Sequence, residues 1–178
     1  MTRALDTQAG NEQKPNISVA DDVARKRLSD QLAMIVADTY MLLVKTQGYH
    51  WNVAGPLFVS IHELTESQYE DIFRAADDLA ERIRALGHKS PGSYREFAEV
   101  TAIEDDDGEP KTAKQMVEAL AADNEQIARR MMQASDIAAD LGDKVTEDML
   151  IGRMHQHEQN AWMLRAIAAD ESASRSVS

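Results

Sequence analysis

The chain has 178 residues, no cysteine and a formal charge of −12, from 31 acidic and 19 basic side chains. That length suits one domain with a real core. It leaves no disulfide and no thiolate metal site, so any metal must be held by His, Asp and Glu, a donor set suited to iron, manganese or zinc. The acidic balance repels nucleic acid at neutral pH unless a basic segment stands apart, and it attracts cations. No apolar run has membrane-spanning length, and the first residues, MTRALDTQAGNEQKPNIS, lack the apolar stretch of a secretory signal; the expectation is a cytoplasmic protein.

Residues 1–17 are polar and aperiodic and read as a flexible tail. Ser18-Val-Ala-Asp21 resembles a capping box, and Leu28, Leu32, Ile35, Val36, Leu42 and Leu43 then recur at helical spacing, giving a first helix over about 18–49. Asn52-Val-Ala-Gly55-Pro56 breaks it. Phe58, Ile61, Leu64, Ile72, Leu79, Ile83 and Leu86 carry a second helix over about 58–87, with Gly87 as its C′ residue. Residues 88–111 hold Pro91, Gly92, Gly108, Pro110 and the acidic run Glu104 to Asp107, a long connection with room for a short helix at 93–100. Thr112-Ala-Lys-Gln115 is a capping box, and Met116, Leu120, Ile127 and Met131 extend a third long helix to about Leu141, where Gly142 stops it. Thr146 is the expected cap of the fourth, whose apolar positions include Met149, Leu150, Met154, Ala161, Leu164 and Ile167; residues 170–178 are a second tail.

Two long hairpins joined by a long crossover make an all-α, ferritin-like four-helix bundle over 18–169. A bundle with its di-iron site inside one chain takes Glu-x-x-His from two helices. The residues three before His50, His62, His88, His155 and His157 are Gln47, Val59, Ala85, Gly152 and Met154, so the motif is absent. His62-Glu63 starts like a zinc-protease His-Glu-x-x-His, but Glu66 stands where the second His belongs.

The second helix offers another arrangement. His62 and Glu66 are i,i+4 and share a face, as do Asp77 and Glu81. The pairs are fifteen residues apart, about 22 Å along the axis, too far for one cluster within one chain. Two copies of the helix packed antiparallel about a two-fold would bring His62 and Glu66 of one chain against the partner's Asp77 and Glu81, twice per dimer. His50, returned by the Gly55-Pro56 turn, would complete the nitrogen ligands. The plain alternative is that such i,i+4 pairs are a solvated helix face.

HWNVAGPLFVSIHELTE followed by DDLAERIRALG resembles the Dps family of mini-ferritins, "DNA-binding protein from starved cells". The family pattern is His-Trp-Asn, a short Gly-containing turn, a second His twelve residues after the first, an acid four later, then Asp-x-x-x-Glu-Arg. It falls here on His50, His62, Glu66, Asp77, Glu81 and Arg82, and the likeness extends over about 20–169, including TEDMLIGRMHQHEQNAWML. One departure stands out: most members have Asp where this chain has Glu66.

The resemblance implies a homododecamer of tetrahedral symmetry with a di-iron ferroxidase centre at the two-fold interface. It implies oxidation of Fe(II), preferably by hydrogen peroxide rather than dioxygen, storage of ferric iron in the hollow, and protection against oxidative damage. It gives Trp51 a role in taking up oxidising equivalents, against plain interface packing for Trp51 and Trp162. It makes the region of Asp140, Asp143 and Asp148 an iron-uptake pore at a three-fold axis, with Asp148 the best match; the alternative for Asp148 is a charge suited to a helix N-terminus. His155 and His157, i,i+2, cannot share a helical face and read as surface or packing residues, and the methionines, Met131 and Met132 included, read as core.

The rival function is a nucleoid-binding protein with a secondary metal site. It needs basic tails, yet up to Ser18 Arg3 and Lys14 are offset by Asp6 and Glu12, and Asp21 and Asp22 precede Arg25, Lys26 and Arg27. DNA binding is therefore expected to be weak or absent at neutral pH.

Overall fold

The structure, a computed structural model, describes residues 19–169. Five helices account for the architecture: α1 (Val19–Asn52), α2 (Phe58–Ala85), α3 (Tyr94–Val100), α4 (Ala113–Asp140) and α5 (Lys144–Ala168), with no strand among the described residues. The antiparallel hairpins α1–α2 and α4–α5 pack into a four-helix bundle, and the crossover carries α3 along its way. The Ser18 cap and both tails lie outside the described residues.

The expected apolar stripes face inward. Leu28, Leu32, Ile35 and Leu42 of α1 meet Ile61, Ile72, Leu79 and Ile83 of α2, with Leu120, Ile127 and Met131 of α4 and Leu150 and Leu164 of α5, all essentially without solvent exposure. Burying each such side chain contributes about 1.5–3 kcal/mol, so the stripes account for most of the drive to fold. Phe58 departs from its stripe: it is partly exposed and stacks on His62 instead. Met132 is also exposed, on the outer side of α4 beside buried Met131.

The helix ends follow local chemistry. Gly87 sits at φ 95° after α2, a conformation that favours glycine, and the His88 amide bonds back to the Ile83 carbonyl. The capping box forms: Gln115 N–H donates to Thr112 Oγ1, and the Gln115 side chain accepts from Thr112 N–H. The fourth cap differs from the expected one. Asp143, not Thr146, caps α5, accepting from Thr146 N–H at 3.1 Å, while Thr146 is buried in the first turn. Arg82 explains the difference, since its guanidinium grips both Asp143 oxygens at 2.7 and 2.8 Å and donates to Thr146 Oγ1.

The crossover is tied down by one buried acid. Asp38, in the middle of α1 and fully buried, accepts from Thr101 Oγ1 at 2.8 Å, Ala102 N–H at 2.7 Å and Arg130 at 2.8 Å. Tyr40 stacks on Phe97 of α3 at 4.7 Å, and Gln126 donates to the Ala102 carbonyl. Lys45 and Asp123, both nearly buried, join α1 to α4.

Candidate functional site

The turn after α1 brings the two histidines face to face. Gly55, at φ 97°, lets five residues reverse the chain between Asn52 and Phe58. His50 Nδ1–H donates to the His62 carbonyl at 3.0 Å, and His62 Nδ1–H donates to the His50 carbonyl at 3.0 Å. A carbonyl only accepts, so each ring carries a proton on Nδ1, and Nε2 is the nitrogen left that could ligate a metal. The rings stack with centroids 3.8 Å apart; Phe58 stacks on His62 at 4.9 Å, and Tyr69 meets His50 edge-on at 5.2 Å. Two imidazoles with fixed rings and matched hydrogen bonds could serve as ligands without reorganising.

Thr65 and Tyr69 are neighbours of the pair that sequence reasoning passed over, and Phe58, expected in the core stripe, is a third. Buried Thr65 directs its hydroxyl to the Ile61 carbonyl at 2.6 Å, and its oxygen lies 3.4 Å from His50 Nδ1. Their signal was available: Thr65 and Tyr69 stand three and seven residues after His62, on its face of the helix.

The carboxylates are placed differently. Glu66, Asp77 and Glu81 are exposed along α2, and their carboxylates make no hydrogen bond or ion pair to another described residue. No group of three or more His, Asp or Glu among the described residues of one chain could hold a metal ion. The structure thus joins His50 to His62 and leaves Asp77 and Glu81 on the far part of the same helix. Large apolar side chains accompany them in the open: Trp51 is 69% exposed, Val59 60% and Phe73 61%. Glu66, Phe73 and Asp77 follow i, i+7, i+11 spacing, so an apolar ring shares the stripe with the carboxylates.

At the other end of α2, Asp78, Glu81, Arg82 and Ala85 line an open cleft of about 960 Å³ with Lys144, Val145, Glu147, Asp148 and Ile151. Asp148 and Asp140 are exposed. Asp143 is not in the same condition. Burial pushes its carboxyl up, but the bonds from Arg82 and Thr146 outweigh this and hold it below the usual carboxylate range. Of the pore candidates, Asp143 is thus engaged as a cap and ion-pair partner. Trp162 is 67% exposed and His155 is exposed, while His157 is wholly buried.

An antiparallel four-helix bundle with a long crossover, carrying histidine and carboxylate donors on its helices, defines a ferritin-like protein. Residues 29–173 match the family described as the ferritin-like domain. The chain is 36% identical to DNA protection during starvation protein 2 of Bacillus anthracis over 141 residues, covering 79% of this chain and 96% of the relative. It is 40% identical to a low temperature-induced protein of Nostoc over 152 residues, 85% of this chain and 84% of the relative. Among solved structures, Dps from Staphylococcus aureus superposes with a TM-score of 0.79 at 32% identity, covering 82% of this chain and 97% of that one. The chain belongs to the Dps family of mini-ferritins.

Proposed function

We propose that this protein is a ferroxidase and iron store, oxidising Fe(II) at di-iron sites shared between two chains and holding the ferric product inside a hollow homododecamer. Its membership of a ferritin-like family supports the iron-storage and protective role. The observation that carries the shared site is the division of donors on α2. The imidazoles are locked as one pair, the carboxylate pair Asp77 and Glu81 begins about 22 Å away, and exposed Val59 and Phe73, seven residues to either side of Glu66, mark that face for cover by another protein surface. A second copy packed antiparallel satisfies both halves.

In this reading His50, His62 and Glu66 of one chain and the partner's Asp77 and Glu81 bind the substrate iron. Imidazole suits Fe(II), and carboxylates favour the Fe(III) product. Two Fe(II) give one electron each to hydrogen peroxide; the O–O bond breaks and, with two protons, two waters form. Delivering both electrons together avoids hydroxyl radical. The chain's own contribution is to hold both Nδ1 protons on backbone carbonyls, so that ligation requires no tautomer change. The acidic surface concentrates Fe(II), and Asp148 with Asp140 serves as the uptake pore. No helix among the described residues is long and apolar enough to cross a membrane. The same negative charge makes DNA binding weak at neutral pH.

Complementation tests the shared site. His50→Ala/His62→Ala and Asp77→Ala/Glu81→Ala proteins should each lose rapid Fe(II) oxidation. Refolded together from mixed chains, half of the dimers are mixed and one site in each is whole, so about a quarter of wild-type activity should return. Inactivity of verified heterodimers would sink the shared-site mechanism, since a site within one chain can never be restored by mixing.

A further inference from the structure

Polar side chains meet in the middle of the bundle, away from the candidate metal site. Gln68 of α2, Asn124 of α4, and His157 and Asn160 of α5 are each at most 3% exposed. The ion pair between Arg153 and Asp71, at 2.8 and 3.1 Å, fixes the antiparallel register of α5 against α2. One turn further on each helix, that register sets Gln68 level with His157, and Asn160, three residues beyond His157, shares its face of α5. His157 Nδ1 lies 2.8 Å from Asn124 Oδ1, and Asn124 Nδ2 donates to the Leu120 carbonyl at 2.8 Å. Asn124 Oδ1 is therefore an acceptor, His157 Nδ1 carries the proton, and Nε2 presents a lone pair. Asn160 Oδ1 is taken by Gln156 Nε2 at 3.0 Å.

Besides Arg153 Nε in the ion pair itself, three buried atoms one turn further along have no partner in the protein: Gln68 Nε2 and Asn160 Nδ2, both donors, and His157 Nε2, an acceptor. Buried polar groups left unmatched bear their full desolvation cost, and native cores almost never keep three together. Two donors and one acceptor are what a water molecule matches, by accepting twice and donating once; three bonds is the usual number for a buried water.

We propose that an ordered water is built into the bundle core, bridging Gln68, Asn160 and His157. A divalent cation does not suit the place. The donors are neutral, and Asp71, the carboxylate that acts on His157, is already held by Arg153, so the charge would be buried unpaired. The water is thus an internal strut joining α2 to α5, where the side chains alone do not reach one another.

A crystal structure at about 1.3 Å resolution, with crystals soaked in zinc and manganese salts, decides between the alternatives. The expected result is one solvent peak at hydrogen-bond distance from all three atoms, with no anomalous signal there. Direct side-chain bonds filling the layer without solvent would overturn the proposal, and so would a zinc or manganese peak on His157 Nε2. Gln68→Met adds a solution measurement. It removes a donor at nearly constant volume, so a bridged donor predicts a lower Tm, and a raised Tm would show that Nε2 had been unmatched all along.

Discussion

Acid should destabilise this protein through a histidine that binds no metal. His157 is wholly buried, and burial, followed by the nearby Arg153 charge, pushes its imidazole down to about 3, with Asp71 acting weakly in the opposite direction. In the unfolded chain the imidazole titrates near about 6.5. Between these values the unfolded state carries a proton that the folded state does not, so stability is full above pH 6.5 and is lost as pH falls. The slope is about 1.4 kcal/mol per pH unit per chain, amounting to about 2 kcal/mol at pH 5. Asp106 and Glu96, both held down to about 2, lose their contributions only as pH falls below the ordinary carboxylate range, and Asp123, raised by burial, acts in the opposite sense in any variant alike, so a comparison with a His157 variant isolates the imidazole. Urea unfolding followed by far-ultraviolet circular dichroism, at one chain concentration and at pH 7 and pH 5, measures the effect. His157→Gln, which can still donate to Asn124, is the comparator, and wild type should lose about 2 kcal/mol more than the variant. Equal losses in the two proteins would refute the reasoning, as would a His157 imidazole resonance that titrates near 6.5 in the folded protein.

Other perturbations have clear outcomes. Asp38→Ala leaves Thr101, Ala102 and Arg130 without their acceptor and should cost about 2–4 kcal/mol in urea unfolding, with the crossover amides the first to lose protection from hydrogen exchange. Asp148→Asn should slow iron uptake at low Fe(II) while leaving oxidation at saturating Fe(II) unchanged; equal uptake rates would remove Asp148 from the pore. No stable complex with duplex DNA should form at neutral pH and physiological salt, and a tight gel shift under those conditions would show the charge argument to be wrong.

Periodicity and caps made the bundle legible before any coordinates. Gly87 and the Thr112–Gln115 box lie where their chemistry demands, because helix ends are set by neighbours in sequence. The α5 cap was misread because both Asp143 and Thr146 are good caps, and Arg82, distant in sequence, decides between them. His50 and His62 were visible as a pair by spacing. Their mutual bonds were not, because the acceptors are backbone carbonyls, which no residue pattern displays. Of the two roles the sequence allows His157, packing is the one found, and spacing favours it: His157 falls seven residues after Leu150 and seven before Leu164, both buried. Asp38 was overlooked among apolar neighbours: a buried acid reads as an error in a stripe until its three partners are seen.

The reciprocal bond between His50 and His62 makes the turn a ruler. Surface loops generally accept insertions at small thermodynamic cost. Here each ring is anchored on the other's backbone, so one residue added between Val53 and Leu57 would offset both anchors together and release both tautomers. The usual freedom of a loop to drift in length is absent at this point, and the interval of twelve between the histidines is a dimension of the site itself, written in chain length.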